Sequence, residues 1–162
     1  MKALVASIFG IFLSTTVYGF MPIRTTVNTN LALGGYDPVV YYAEEKARRG
    51  SSTYSFMYDG VEWRFENKTN KNLFMKHPDM FIPAFGGYCA YGIAEGVVVG
   101  DEDPREFVIH DGKLYFFHNA EMLNTWKKNP EAFIKKAEAE WKRLVKSGEI
   151  SLPKDAGKSE PS

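Results

Sequence analysis

The only cysteine of the chain, Cys89, is the side chain with the widest range of chemistry. A thiolate binds soft metal ions and is a good nucleophile. With no second cysteine, the chain cannot form an internal disulfide, a tetrathiolate zinc site or a dithiol redox motif. Its neighbours Tyr88 and Tyr91 place Cys89 on a predicted strand beside aromatic residues. Three interpretations stay open, namely a metal ligand, a redox or nucleophilic group, and a small buried hydrophobic residue.

The three histidines are the other candidate metal ligands. His77 stands before a proline, His110 precedes an Asp-Gly turn, and His118 follows the strand after that turn. Residues of a hairpin pair symmetrically about its turn, so we expect His110 to face Lys113 and not His118. The predicted metal set is therefore Cys89 with His118 or His77, which suits Cu(I), or Zn(II) with a further ligand. The alternative is that the histidines are surface or hydrogen-bonded structural residues.

The sequence carries no motif of a known catalytic class. It has no Gly-x-Ser-x-Gly, no His-Glu-x-x-His and no glycine-rich phosphate loop. Asp37 stands before Pro38 and is expected to cap a helix or turn, and the acidic run at 101–103 lacks the spacing of a calcium loop. We therefore expect a non-catalytic protein. An enzyme that uses Cys89 with a histidine base is the lowest-ranked alternative.

The composition is that of a folded domain without a charged face. Apolar residues make up 44% and aromatic residues 15% of the chain, which fits a packed core and argues against disorder. Twenty Lys and Arg residues balance twenty Asp and Glu residues, so no nucleic-acid partner is indicated. The expected partner is an unknown protein, or a metal-handling protein if Cys89 binds metal.

The first residues are typical of a secretory signal peptide. Lys2 precedes an apolar stretch over residues 3–17, and small residues then allow cleavage near Gly19. The stretch is shorter than the ~20 residues that a membrane-spanning helix needs. We expect residues 1–19 to be removed during export to the periplasm or the exterior, the only step at which the chain meets a membrane. An uncleaved anchor is the alternative.

The rest of the chain divides into three predicted segments. Residues 20–33 are an extended lead-in, and residues 34–148 are one folded domain. Residues 149–162 are polar, contain two prolines and a glycine, and are expected to be a disordered tail.

The domain contains an internal repeat. Residues 34–85 align with residues 86–137 at a constant offset of 52 without gaps, with twelve identities at turns and helix starts. One unit alone would bury too little surface to be stable. The repeat therefore predicts one α+β domain, with two β-hairpin–helix modules around one aromatic core and a long C-terminal helix. The alternative is coincidence between two ordinary hairpin–helix segments.

Each unit is predicted to contain a hairpin followed by helices. Asp-Gly pairs at 59–60 and 111–112 are strong two-residue hairpin turns between aromatic and β-branched runs. Asn67 and Asn119 are expected helix caps, and prolines are expected to start the second helix of each unit. The predicted strands are 54–58, 61–65, 107–110 and 113–117, and the main predicted helices are 68–76, 120–128 and 130–146.

The order of these motifs resembles a YHS domain. The start at 35–39 (GYDPV), the aromatic hairpin at 58–65 and the ending at 72–81 (NLFMKHPDMF) match the outline of the family, and 86–90 (GGYCA) is similar to its exported branch. The resemblance covers about residues 33–141. It implies a small α+β module, of a kind found fused to metal-transporting ATPases and in heavy-metal-associated proteins.

This chain differs from the metal-linked members of the family at the positions of their cysteines. Those members usually carry a cysteine just after Asp-Pro-Val and often another between the strand and the helix, where this chain has Val40 and Glu66-Asn67. The first functional hypothesis is an exported YHS-domain binding protein associated with copper or zinc through Cys89. The alternative is a protein- or small-ligand-interaction module without metal, whose aromatic patch would comprise Tyr36, Tyr41, Tyr42, Tyr88 and Tyr91.

Overall fold

The computed structural model describes residues 22–26, 29–99 and 103–150. The predicted signal peptide at 1–19 lies outside the described residues, as does most of the predicted tail, 151–162. In the part of the chain that is described, no helix is long and apolar enough to cross a membrane.

The structure has the predicted α+β composition, with two antiparallel hairpins and a long C-terminal helix. In chain order the described elements are α1 (Pro38–Glu44), β1 (Ser51–Tyr58), β2 (Val61–Phe65), α2 (Lys68–Lys76), α3 (Pro78–Phe81), α4 (Ala90–Ala94), β3 (Phe107–His110), β4 (Lys113–Phe116), α5 (Ala120–Trp126) and α6 (Pro130–Ser147). A short 3₁₀ turn precedes α1 at Leu33–Gly35, and another precedes α4 at Ala84–Gly87.

The two modules repeat the same order of elements at the predicted offset. Each runs from a glycine turn through a short helix, a hairpin and a capped helix to a helix that starts at proline. The capping side chains are equivalent in detail, because Asn67 accepts a hydrogen bond from the N–H of Asn70 at 2.9 Å and Asn119 accepts one from the N–H of Met122 at the same distance. The predicted caps are confirmed.

The hairpin turns are also as predicted. Asp59 and Asp111 have φ values of 56° and 47°, and the glycines that follow them are left-handed as well, as a two-residue type I′ turn requires. The register across the second turn pairs His110 with Lys113. The expectation that His110 does not face His118 is therefore confirmed.

Two short helices, α1 and α4, are not predicted by the sequence pattern. Residues 39–42 of α1 favour strands, and α4 contains a glycine, which disfavours a helix. Each helix is started by the residue before it, Asp37 or Cys89, whose side chain accepts a hydrogen bond from the first turn. The prediction that Cys89 lies on a strand is wrong. Its backbone makes a single parallel bridge to Phe116 and then enters α4.

The aromatic core has two halves that share β4. Leu114 and Phe116 face the half built on the first module, whereas Tyr115 and Phe117 face the half built on the second. Successive side chains of a strand point to opposite sides, so one strand contributes to both halves. The two modules therefore share a strand in addition to lying side by side.

The predicted lead-in belongs to the packed structure. Ile23 and Ala32 are 3% and 1% exposed, and the N–H of Arg24 donates to the carbonyl of Gly86 at 2.9 Å. At the other end Ile150 is 2% exposed, and its N–H donates to the carbonyl of Leu144 at 3.2 Å. Ile150, two residues past the predicted boundary at 148, therefore packs in the core.

The last helix, α6, buries the apolar face that its spacing predicts. Its side chains cover α4 and complete the second half of the core. The residues of this face are Phe133, Ile134, Ala137, Trp141, Leu144 and Val145.

We predict that Gly86→Ala is far more destabilising than Gly34→Ala. The two glycines are equivalent in the repeat and have φ values of 60° and 61°, so both variants carry the same left-handed strain of about 1–2 kcal/mol. A Cβ at 86 would overlap the carbonyl oxygen of Pro22, whereas a Cβ at 34 meets nothing closer than 3.9 Å. In denaturant unfolding, the free energy of unfolding should fall by more than about 3 kcal/mol in Gly86→Ala but not in Gly34→Ala. Equal losses of unfolding free energy in the two variants would contradict the close contact between Pro22 of the lead-in and Gly86.

A second prediction concerns alkaline stability. Tyr41 is fully buried, its hydroxyl donates to the carbonyl of Pro104 at 3.0 Å, and burial raises its pKa well above the ordinary value of 10. The neutral phenol is favoured in the folded state, so its stabilisation is complete below pH 10 and is lost as the pH rises above that value. Tyr41→Phe should reduce the fall in unfolding free energy between pH 10 and pH 11 by up to about 1.4 kcal/mol per pH unit. An unchanged slope in that variant would show that another group controls alkaline unfolding.

Candidate functional site

A buried side chain joins two helix starts in the first module. Asp37 is 0% exposed, and its Oδ1 accepts the N–H of Val39 at 2.8 Å, which caps α1. Its Oδ2 accepts the N–H of Glu66 at 2.8 Å and the side-chain amide of Asn70 at 2.7 Å. One carboxyl group therefore holds the start of α1 against the start of α2.

The equivalent position in the second module is Cys89. Its backbone dihedral angles, −56° and 111°, are close to the −75° and 113° of Asp37. Its Sγ accepts the N–H of Gly92 at 3.4 Å, which caps α4. The Sγ atom also lies 3.7 Å from the Sδ atom of Met122, toward which the thiol is directed.

Met122 is the repeat equivalent of Asn70. A carboxyl–amide pair at the first junction is therefore replaced by a thiol–thioether pair at the second. Oxygen and amide groups are hard donors, whereas both sulfur groups are soft and polarisable. The same backbone frame thus presents two different kinds of donor.

The surroundings of the sulfur pair are apolar. Cys89 is 1% exposed and lies in the second half of the core, and Met122 is half-buried at its edge on α5. Among the described residues, the only buried side chain that is charged or strongly polar is Asp37, in the other module.

The predicted histidine ligands lie in different places. His118 is half-buried, directly before the cap of α5, and is the equivalent of Glu66, whose N–H contacts the first junction. His77 is exposed between α2 and α3, in the first module. The described residues contain no group of three or more His, Cys, Asp or Glu side chains placed to hold a metal ion. The structure therefore does not assemble Cys89, His118 and His77 into one site.

The tyrosine patch of the alternative hypothesis is not an exposed surface. Tyr41 is fully buried, and Tyr36, Tyr42, Tyr88 and Tyr91 are all half-buried. Tyr42 is held in place because its hydroxyl accepts the N–H of Leu114 at 3.1 Å. In the described part of the chain, the large hydrophobic residues that are exposed are instead Leu73, Met80, Val97 and Val98.

Sequence reasoning missed Met122. A methionine in a predicted helix is ordinarily a core residue, and nothing local marks it as a donor. The signal that would have found it is the repeat itself, because the offset of 52 replaces Asp37 by Cys89 and Asn70 by Met122. Two exchanges from hard to soft donors at partner positions make this junction a candidate site.

No protein-family model, curated protein or solved structure matches this chain.

We predict that the two junction residues differ in their contribution to stability. Asp37→Ala leaves two backbone N–H groups and one side-chain amide without their acceptor and should lower the free energy of unfolding by about 3 kcal/mol. Cys89→Ala removes one weak N–H···S bond and should cost about 1 kcal/mol. Urea unfolding of both variants beside the parent measures the difference. A Cys89→Ala loss as large as that of Asp37→Ala would mean that the thiol is mainly a structural cap.

Proposed function

We propose that this chain is a non-catalytic, exported binding protein of YHS type that holds one soft metal ion, Cu(I), on Cys89 and Met122. The observation that carries the proposal is the 3.7 Å distance between the two sulfur atoms. The thiol–thioether pair occupies the place that a carboxyl–amide pair occupies in the other module.

The donor chemistry favours copper over zinc. Thiolate and thioether ligands select Cu(I), and two metal–sulfur bonds of about 2.3 Å can reach across the observed separation with little movement. The thiol proton now directed at Met122 would leave when the ion binds. A closed zinc site needs four ligands of the His, Cys or carboxylate type, and the described residues offer no such group.

His118 is the histidine that the proposal retains as a third donor. It lies at the repeat position whose backbone contacts the junction in the first module, and it is half-buried. His77 is left out because it is exposed and belongs to the other module.

The environment of Cys89 supports binding over catalysis. The thiol is 1% exposed and contacts a backbone N–H and a thioether. A nucleophile must reach its substrate, and a thiol enclosed in this way is reached by a single ion more easily than by an organic substrate. The alternative, an interaction module without metal, would use the half-buried tyrosines and predicts that copper binding is absent.

Anaerobic titration of the reduced protein with Cu(I) against a competing chelator tests the proposal. We expect one Cu(I) per chain, with affinity reduced on the order of 100-fold in Cys89→Ser. Met122→Leu preserves shape but removes the thioether and should weaken binding by about tenfold. Met80→Leu is the matched control, since Met80 is 60% exposed and distant in sequence from the pair, and it should bind like the parent.

Three results would reject the copper assignment. They are no binding by the parent protein, equal binding by Cys89→Ser, or equal losses in Met122→Leu and Met80→Leu. The first result together with normal folding would favour the interaction module.

A further inference from the structure

His110 packs against Trp126 at the point where the second hairpin meets the following helices. The ring centroids are 5.5 Å apart and the planes are at 88°. The His110 side chain is 25% exposed, but its Nε2 atom is buried and has no hydrogen-bond partner among the described residues. Trp126 Nε1 is buried without a partner in the same way. A buried polar nitrogen without a hydrogen-bond partner costs free energy.

Two carboxylates lie near this nitrogen. Glu131 Oε1, in the first turn of α6, is 3.5 Å from Nε2, and Asp111 Oδ2, in the hairpin turn, is 3.8 Å away. Both carboxylates are mostly exposed, at 76% and 92% of the side chain. These distances allow an ion pair once the imidazole carries a proton, which would also give Nε2 a partner.

The first module contains the same arrangement without a histidine. Tyr58, the equivalent of His110, packs against Phe74 at 5.8 Å and 87°. The two carboxylates of that module, Asp59 and Asp79, act on Tyr58, because burial first and then these charges raise its pKa above the ordinary value of 10. The second module thus keeps the geometry and the acidic neighbours but holds an imidazole, which can gain a proton, where the first module holds a phenol.

We propose that His110 is a pH-sensitive latch: when protonated, it ties the β3–β4 turn to the first turn of α6 through Glu131. The other groups that face it are consistent with this role. Asp111 adds negative charge from the turn, and α5 presents the uncharged Trp126. Lys113, opposite on β4, directs its ammonium to the carbonyl of Asp79 at 3.3 Å and is not paired with Glu131.

The latch adds a response to pH that is independent of the sulfur pair. It is located at the opposite end of β3–β4 from the Cys89 bridge at Phe116, and none of its groups is a proposed metal ligand. Failure of the copper proposal would therefore leave it intact.

An amide NMR titration of the whole chain from pH 8 to pH 5 tests the latch. We expect the amides of Glu131 and Ala132 to shift with the same midpoint as the His110 imidazole. His110→Tyr rebuilds the Tyr58–Phe74 pair of the first module and should abolish that shift. Because His77 and His118 remain in this variant, loss of the shift excludes them as its source.

The variant Glu131→Gln distinguishes the proposed latch from a protonation of His110 that has no effect on α6. The side chain is 76% exposed, so the variant should fold normally. We expect His110 still to titrate in it while the first turn of α6 no longer follows. Amides of α6 that do not respond in the parent, or that respond equally in Glu131→Gln, would overturn the proposal.

Discussion

The fold depends on a side-chain acceptor that caps one helix and at the same time contacts the start of the next. In the first module this acceptor is Asp37, which receives the N–H groups of Val39 and Glu66 and the amide of Asn70. A buried carboxyl is tolerated only when its hydrogen bonds are satisfied, so the chain around it has little freedom. The same constraint recurs at Cys89, where a weaker acceptor suffices because α6 also covers α4. The second module can therefore replace an oxygen by sulfur and keep its shape.

The two modules are bound to each other by shared parts. Strand β4 contributes Leu114 and Phe116 to one half of the core and Tyr115 to the other, which Phe117, directly after the strand, also joins. The lead-in passes so close to Gly86 that no side chain fits there. A module cut out at the repeat boundary would lose half of the burial of β4, which agrees with the difficulty that short chains have in forming a core.

The sequence predicts the parts of this fold that local chemistry determines. The Asp-Gly turns, the Asn67 and Asn119 caps and the apolar face of α6 follow from backbone preference and periodicity, and the offset of 52 gives the module order. Asp37 is the cap that the sequence predicts, but Val39, Val40 and Tyr41 favour strands, so helix α1 does not follow from local preference, and the contact of Asp37 with Asn70, 33 residues away, leaves no local pattern. Helix α4 is capped by Cys89, which is not a residue type that ordinarily caps helices. The Cys89–Met122 contact was missed for the same reason, since a contact 33 residues apart leaves no local pattern. Only the comparison of the two modules makes it visible.

The functional proposal rests on that comparison, because the second junction differs from the first chiefly in its donors. A soft donor pair among apolar side chains, with Met122 half-buried, is suited to a soft ion and poorly suited to an organic substrate. The most direct test is X-ray absorption at the copper edge of the reduced protein loaded with one equivalent of Cu(I). The proposal predicts two sulfur neighbours at about 2.3 Å, falling to one in Met122→Leu. A spectrum with only nitrogen and oxygen neighbours, or one unchanged in Met122→Leu, would contradict it.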